Sequence, residues 1–316
     1  MLAYILKRLA MTALVVLVVM TFLASLVHLI PGDPVKTILG PRADPELSKI
    51  VRHDMQLDLS VPRQIWNFVT GAVQGDHGVD FVSDEKVTRL VFNALPHTVV
   101  LAVASLLLAM LVGVPLGVYA ATRPNTWMDR ISGVLAVSCI TIPSYVAGLF
   151  LVLLFAVQFR VLPAIGTGDF SHPLDYLRHL VLPAIALGIT WIGYFARLVR
   201  ASMLEVMNTN YIRTAQAFGL HERAIFYRYA LRNAIIPTIA VLGVGLGNLM
   251  GYAIFVEVIF ARPGLGTLIY DSIESRNYPI VRGGVLVVAI LFVLANLLAD
   301  LSYRVLDPRI RVEQGR

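Results

Sequence analysis

The sequence predicts an all-α membrane protein with about six transmembrane helices. Hydrophobic residues make up 57% of its 316 positions and charged residues only 15%, whereas about a quarter of the residues of a soluble domain are charged. The apolar residues form long blocks, and a helix needs about 20 such residues to cross the hydrocarbon of a bilayer. Because unsatisfied backbone groups are costly in lipid, each block is expected to be helical.

Six apolar blocks are the candidate spans. They are Leu9–Ile30, Ala94–Ala121, Ile131–Phe159, Leu180–Ala196, Ile235–Val256 and Gly283–Tyr303.

The first block superficially resembles a secretory signal because Lys7 and Arg8 precede it. It is longer than a typical signal, however, and no small-x-small cleavage site follows it before Pro31. The first block is therefore predicted to remain in the protein as a membrane helix.

The blocks divide the chain into an N-terminal membrane helix (residues 1–30), an external segment with some helix of its own (31–93) and a core membrane domain (94–316). An even number of spans puts both termini on one side. The short loops opposite the termini carry five basic residues: Arg160, Arg178, Arg262, Arg276 and Arg282. The side of the termini carries fourteen: Lys7, Arg8, Arg123, Arg130, Arg197, Arg200, Arg213, Arg223, Arg228, Arg232, Arg304, Arg309, Arg311 and Arg316. Basic residues concentrate in cytoplasmic loops, so both termini are predicted to be cytoplasmic.

Motifs for several kinds of catalysis are missing from the sequence. No Lys follows a Gly, so a GxxxxGK[ST] phosphate-binding loop is absent, and neither HExxH nor GxSxG occurs. The single cysteine, Cys139, can form neither an intrachain disulfide nor a cysteine-rich metal site. The sequence therefore predicts a protein that is not an enzyme and has no catalytic, cofactor or metal site of its own.

An ion-coupled carrier or channel is the rival function class, and a membrane scaffold is a third. Ion-coupled carriers commonly keep an ionisable residue near the middle of the membrane, and the spans here are almost free of such residues. This pattern disfavours proton coupling. Sodium coupling through the carbonyls of unwound helices stays open.

The segment between the fourth and fifth spans, about residues 201–234, predicts a contact with another protein. Thr209 or Asn210 can cap a short helix that ends at Gly219. Three residues recur at every third position and are expected to project from one side of it: Ile212, Ala215 and Phe218. Small residues beside Gly219 allow another protein to approach closely, and the flanking arginines suit acidic surfaces or lipid headgroups. An ordinary basic loop is the alternative.

At these residues the sequence resembles the cytoplasmic "EAA" loop of binding-protein-dependent ABC importer permeases. The matching positions are Thr214-Ala215, Gly219 and Ile236-Pro237. More narrowly, Tyr211–Leu220 and Leu231-Arg232-Asn233-Ala234 are similar to the B-type permease of the dipeptide, oligopeptide, glutathione and nickel importers. Further motifs of that subfamily run along the chain: Ile30-Pro31-Gly32-Asp33-Pro34, Gly75-Asp76-His77-Gly78, Pro263-Gly264-Leu265-Gly266, Arg276-Asn277-Tyr278-Pro279 and Asp307-Pro308-Arg309-Ile310-Arg311.

The resemblance implies a type I-like importer permease of the plasma (inner) membrane with a coupling helix between its fourth and fifth spans. The implied partners are a paralogous C-type permease, two cytoplasmic ABC ATPases that use ATP and Mg, an external solute-binding protein and the lipid bilayer, and no nucleic acid. The implied substrates are dipeptides or oligopeptides, with glutathione or nickel as alternatives. The residues implied to couple to the ATPases are Arg213, Thr214, Ala215, Ala217, Phe218, Gly219 and Leu220.

The sequence departs from the family pattern at a few positions. The family usually has Lys or Arg near Gln216 and Phe218, an aromatic residue near Arg262, and Asp near Asn277. The first departure affects the coupling helix. The other two fall in the last external loop, where they affect the external gate and its substrate preference.

Glycine spacing and loop charge predict two more sites. GxxxG steps allow close helix approach, and the row in the fifth span is predicted to form a pathway or dimer face: Gly243, Gly247, Asn248 and Gly251. Gly113 and Gly117 make a similar pair in the second span, and static helix packing is the alternative for each pair.

Charges of the last external loop are predicted to form an external gate that meets a peptide or a delivery protein: Arg262, Asp271, Glu274 and Arg276. A solvated loop without ligand contacts is the alternative for this set.

Overall fold

A computed structural model describes residues 2–29, 35, 40, 44–55, 57–80, 83–169 and 171–306 of the chain, with side chains placed at these positions except for 2–9, 26–29, 47, 54 and 300–306. Within these residues, β structure is limited to an isolated antiparallel bridge between Val79 and Lys86. The remaining regular structure is helical, which confirms the predicted all-α fold class.

The helices are, in chain order, α1 Leu2–Leu29, α2 Pro45–Asp54, α3 Val61–Val73, α4 Val87–Thr122, α5 Trp127–Thr141, α6 Ser144–Leu151, α7 Pro173–Met207, α8 Asn210–Ala217, α9 Glu222–Ala224, α10 Leu231–Ala234, α11 Ile236–Ala240, α12 Leu242–Ile259, α13 Leu265–Glu274 and α14 Tyr278–Leu306. A π-helical segment, Val152–Gln158, continues α6, and another, Ile225–Ala230, joins α9 to α10.

Among the described residues, four helices are long and apolar enough to cross a membrane. They are α4, α7, α12 and the Tyr278–Ala299 part of α14, and the pair of α5 and α6 counts as a fifth span if it crosses as one unit. In α1 the apolar stretch with described side chains, Ala10–Ser25, is shorter. The count of six spans therefore stays a prediction.

The third predicted span, Ile131–Phe159, is wrong as a single helix. Helix α5 ends at Thr141, α6 begins at Ser144, and the two axes differ by 102°. Proline has no backbone N–H and disfavours helical geometry in the residue before it. Accordingly Ile142, just before Pro143, is extended, with φ −74° and ψ 119°.

The chain forms two compact units. The first contains Met1–Val99 and Arg262–Val293, so it draws on both the predicted external segment and the predicted core domain. Helix α1 packs against α3 here, around buried Met20 and Leu23. The segment predicted to be external contains α2 and α3.

The second unit contains Val100–Ala261 and Leu294–Arg316. Its central element is α7, which packs against α5, α6 and α12. The guanidinium of Arg200 in α7 donates two hydrogen bonds to the carboxylate of Asp129 in α5, at 2.5 Å from Nε and 2.7 Å from a terminal nitrogen. This two-pronged ion pair joins α5 to α7 where only 6% of the Asp129 side chain is exposed.

The glycine pair of α4 faces the backbone of α7, which confirms that this GxxxG step allows close packing. A Cβ atom at Gly113 would lie 2.7 Å from the carbonyl oxygen of Ile192, and one at Gly117 would lie 2.6 Å from that of Ala196. Real Cβ atoms do not come this close to backbone, so an alanine at either position would force the two helices apart.

We therefore expect Gly117→Ala to destabilise the protein by about 1–3 kcal/mol, the usual cost of overpacking. Gly133→Ala is the matched control, because Gly133 also lies inside a helix and its Cβ would meet no atom within 4 Å. Helix propensity alone should make that control neutral or stabilising by about 0.5–1 kcal/mol. Thermal unfolding of the full-length protein in detergent measures both. Equal unfolding temperatures for the two variants would contradict the close approach of α4 and α7.

Candidate functional site

The predicted coupling helix is present as α8, directly after the end of α7. Thr209 occupies the N-cap position in an extended conformation, but its side chain makes no capping hydrogen bond to α8. Its hydroxyl instead donates to the carbonyl of Val206 at 2.6 Å. Thr209 therefore helps to close the end of α7, and the predicted role of its side chain as a cap for α8 is wrong.

Gly219 ends α8 as predicted. Its φ of +71° lies in the left-handed region that glycine adopts without strain. The N–H of Gly219 donates to the carbonyl of Gln216 at 2.9 Å, and that of Leu220 donates to the carbonyl of Ala215 at 3.3 Å. These two bonds are the Schellman arrangement, which satisfies carbonyls at a helix end.

One side of α8 is held in the core of its own chain. Ile212 and Ala215 belong to a buried cluster that includes Val118 of α4 and both Val199 and Met203 of α7. Ala215 therefore anchors the helix and does not contribute to its exposed surface. The amide of Asn233 also donates to the hydroxyl of Tyr211 at 2.8 Å, which ties the beginning of α8 to α10.

Phe218 does not share the buried side of Ile212 and Ala215, so that part of the prediction is wrong. Each residue of an α-helix turns by about 100°, so two steps of three residues shift position by about 120° around the axis. Phe218 is also the C-cap residue, and it is 82% exposed. The other predicted coupling residues are exposed as well: Arg213, Thr214, Ala217, Gly219 and Leu220.

The predicted glycine row of α12 does not form one face. A Cβ at Gly243 would collide with Ala299 and the carbonyl of Ala295 in α14, so Gly243 is a packing position within the chain. Gly247 is buried, Asn248 is half-buried and Gly251 is exposed with nothing near its Cβ position. Steps of four residues drift around a helix axis, which carries Gly251 away from the packed side.

The four charges of the predicted external gate are not brought together at the surface. Arg262 is fully buried, and Arg276 is half-buried with a φ of +53°. Asp271 and Glu274 are exposed on α13. The carboxylate of Glu274 accepts a hydrogen bond from the hydroxyl of Tyr270 at 3.1 Å, which raises the pKa of Tyr270 above its usual value. The burial of Arg262 contradicts its predicted role as an exposed gate residue.

Asn277, one of the departures from the family pattern, has a structural reason in this chain. Its amide donates a hydrogen bond to the carboxylate of Asp80 in a buried position. Asp80 also accepts hydrogen bonds from the backbone and hydroxyl of Ser83. An aspartate at position 277 would set two carboxylates against each other, so an amide suits Asp80 better.

Sequence reasoning missed the groove that forms where α5 breaks from α6. Its lining includes Pro143 at the break, Trp191 of α7, and both Tyr252 and Phe255 of α12. The dipeptide Ile142-Pro143 inside an apolar run was the available signal for the break. No local pattern indicates which side chains of other helices line it.

Comparisons with known proteins agree over nearly the whole chain. The family described as binding-protein-dependent transport system inner membrane component matches residues 113–312, and the family of the N-terminal part of such components matches residues 1–102. The glutathione transport system permease protein GsiC of Pectobacterium atrosepticum is 38% identical, and its counterparts in Escherichia coli K12 and Shigella flexneri serotype 5b are each 36% identical. Each alignment covers 98% of this chain and 99% of the relative.

Two solved structures have a similar fold. An inward-facing structure of the MetNI methionine ABC transporter aligns with a TM-score of 0.58 and 20% identity, over 69% of this chain and 96% of that one. A crystal structure of an amino acid ABC transporter with histidines aligns with a TM-score of 0.54 and 20% identity, over 72% of this chain and 98% of that one.

Proposed function

Because the chain belongs to the family of binding-protein-dependent transport system inner membrane components, we propose that it forms half of an import pathway for short peptides of the glutathione kind. The chain is a permease subunit of an ABC importer and a multi-pass protein of the inner membrane. The relatives with 36–38% identity over nearly the whole chain are glutathione permeases, which supports a tripeptide as substrate. Dipeptides and longer peptides belong to the same chemical class.

The proposed assembly pairs this chain with a C-type permease paralogue at the membrane. Two ATPase subunits, which bind the ATP and Mg, lie at the cytoplasmic side, and an external solute-binding protein delivers the peptide. Both termini of this chain lie in the cytoplasm, which the charge of the short loops supports. Such a paired arrangement suits a subunit whose spans are almost free of charge.

The observation that carries the coupling proposal is the arrangement of α8. Ile212 and Ala215 fix the helix to α4 and α7, while Phe218 at its end is 82% exposed and a Cβ at Gly219 would meet no atom within 4 Å. A force applied to the exposed end is therefore transmitted to the membrane helices through packed side chains. ATP-driven closure of the ATPases moves α8 and biases the importer between inward-open and outward-open states.

Uptake by a strain that lacks this chain tests the substrate class. We expect the deletion to abolish accumulation of labelled glutathione or a labelled dipeptide, and a plasmid copy to restore it. Uptake should also stop when ATP is depleted while ion gradients are held. If uptake persists without ATP, the protein is an ion-coupled carrier. A deletion that impairs only nickel accumulation would replace the peptide assignment with a nickel importer.

A further inference from the structure

The groove at the break between α5 and α6 has a volume of about 380 Å³. It lies within the second unit, and it is lined by residues of α5, α6, α7 and α12 together with the two residues of the break. A volume of this order is typical of sites for small molecules. Thr141, Pro143, Tyr145, Tyr252 and Phe255 on its walls are exposed, so the groove is open to the outside of this chain.

The break between α5 and α6 restricts the surroundings in which the backbone beside the groove can lie. The carbonyl of Cys139 would normally accept a hydrogen bond from the N–H four residues later, but that residue is Pro143, which has none. Irregular backbone is tolerated at membrane depth only where protein covers it or where it borders a water-filled cavity. A water-filled pathway between subunits is one of these two settings, and the groove beside the break is open on the surface of this chain.

The chemistry of the groove favours a positively charged group. None of the described residues that line it carries a charge. Aromatic rings attract cations through their faces, and the carbonyl end of a helix such as α5 carries partial negative charge. Carbonyls at the ends of broken membrane helices bind cations in transporters.

Three of the four aromatic side chains that line the groove pack against other rings: Tyr145, Trp191 and Phe255. The ring of Trp191 lies 5.5 Å from the ring of Phe195, and a Cβ at Gly245 would come within 3.0 Å of it. The ring of Tyr145 lies 6.1 Å from that of Phe255, which connects α6 to α12. Rings fixed in this way lose little conformational freedom when a ligand binds.

We propose that this groove is part of the substrate pathway and that it holds the ammonium group of a peptide through the aromatic rings and the carbonyls at the end of α5. The proposal rests on the proposed function, and it names the contact site that the predicted glycine row and external gate do not provide. Every peptide with a free N-terminus carries this ammonium group. A groove that binds the ammonium group therefore accepts short peptides of different sequence.

Cysteine labelling of the complete importer, with its partner subunits in lipid vesicles, tests the site. The chain has one cysteine, so Cys139→Ala removes the native thiol of this chain, and the importer with this change alone gives the background labelling of the partner subunits. We expect the cationic reagent 2-aminoethyl methanethiosulfonate to modify Thr141→Cys and Tyr252→Cys about tenfold faster than the anionic 2-sulfonatoethyl reagent, once each rate is divided by the rate of that reagent with a free thiol, because aromatic faces and helix-end carbonyls attract a cation and repel an anion. Saturating glutathione should slow both reactions severalfold.

Leu111→Cys is the control, because Leu111 is 75% exposed on an unbroken apolar stretch of α4 and should not react with either reagent. Two groove positions are used so that one poorly assembled variant does not decide the result. If a correctly assembled variant is modified at its groove cysteine neither in the presence nor in the absence of nucleotide, the proposal is overturned. Equal rates with the two reagents would also overturn it. Failure of the wild-type importer to accumulate glutathione, with charge-selective labelling retained, would instead reject the proposed substrate.

Discussion

Replacing Gly219 with aspartate is expected to abolish transport while the protein still inserts into the membrane and accumulates normally. A Cβ at Gly219 would meet no atom within 4 Å, so the variant has room in this chain. The variant is destabilised only by the backbone strain of a non-glycine residue at a φ of +71°, which costs about 1 kcal/mol or a little more. The new carboxylate, however, would put charge and bulk at the proposed ATPase contact.

Gly219→Asn is the matched control, because asparagine has nearly the same size as aspartate and tolerates the left-handed region better than most residues. The two variants differ mainly in charge. If a central contact with the ATPase loses about 2 kcal/mol, uptake by the aspartate variant should fall about thirtyfold relative to wild type. The asparagine variant should retain most of its uptake.

Peptide uptake by vesicles that contain the complete importer measures this effect, with protein levels checked on the same vesicles. Cross-linking from Ala217→Cys to the ATPase gives an independent readout, since Ala217 is exposed on α8. Normal uptake by Gly219→Asp at normal expression would count against the coupling role of α8.

Replacing Asp129 with alanine is expected to cause the largest loss of stability. The substitution leaves the guanidinium of Arg200 without the carboxylate to which it donates at 2.5 and 2.7 Å. It also removes the acceptor for the N–H of Asn125, at 3.0 Å, near the start of α5. Breaking a buried ion pair typically costs about 3–5 kcal/mol, and since the Arg200 side chain is 33% exposed we expect about 2–3 kcal/mol.

A double-mutant cycle separates the pair from the individual side chains. The Asp129→Ala/Arg200→Ala variant should be less destabilised than the sum of the two single changes, because no charge is left unpaired. Lys49→Ala is the control, since Lys49 and Glu46 form an ion pair at 3.2 Å that is more than three-quarters exposed and should contribute within about 0.5 kcal/mol. Additive single effects of Asp129 and Arg200 in thermal unfolding would show that the pair does not join α5 to α7.

Features that depend on neighbouring residues were predicted well from the sequence. A run such as Ala94–Ala121 specifies a membrane helix because its composition alone makes water unfavourable. Gly219 marks the end of α8 because the left-handed conformation is a local property of one residue. The family resemblance rests likewise on short contiguous motifs.

Features that depend on distant residues were predicted poorly. The spacing of Gly243, Gly247 and Gly251 suggested one face, yet only the position of Ala299 in α14 shows that Gly243 is already covered. Arg262 looks like a loop charge in the sequence, and its complete burial follows from how the chain packs around it. Both misinterpretations arose because exposure is decided by other elements.

The amino-acid sequence by itself determined that this protein is a bundle of membrane helices with a short glycine-terminated helix between the fourth and fifth predicted spans. Hydropathy and backbone preference act over a few residues, so they can be read from the chain directly. Only the tertiary structure decided that Ala215 turns inward, that Asn277 donates to Asp80, and that Pro143 opens a groove beside Trp191. Each of these contacts joins residues that packing alone brings together.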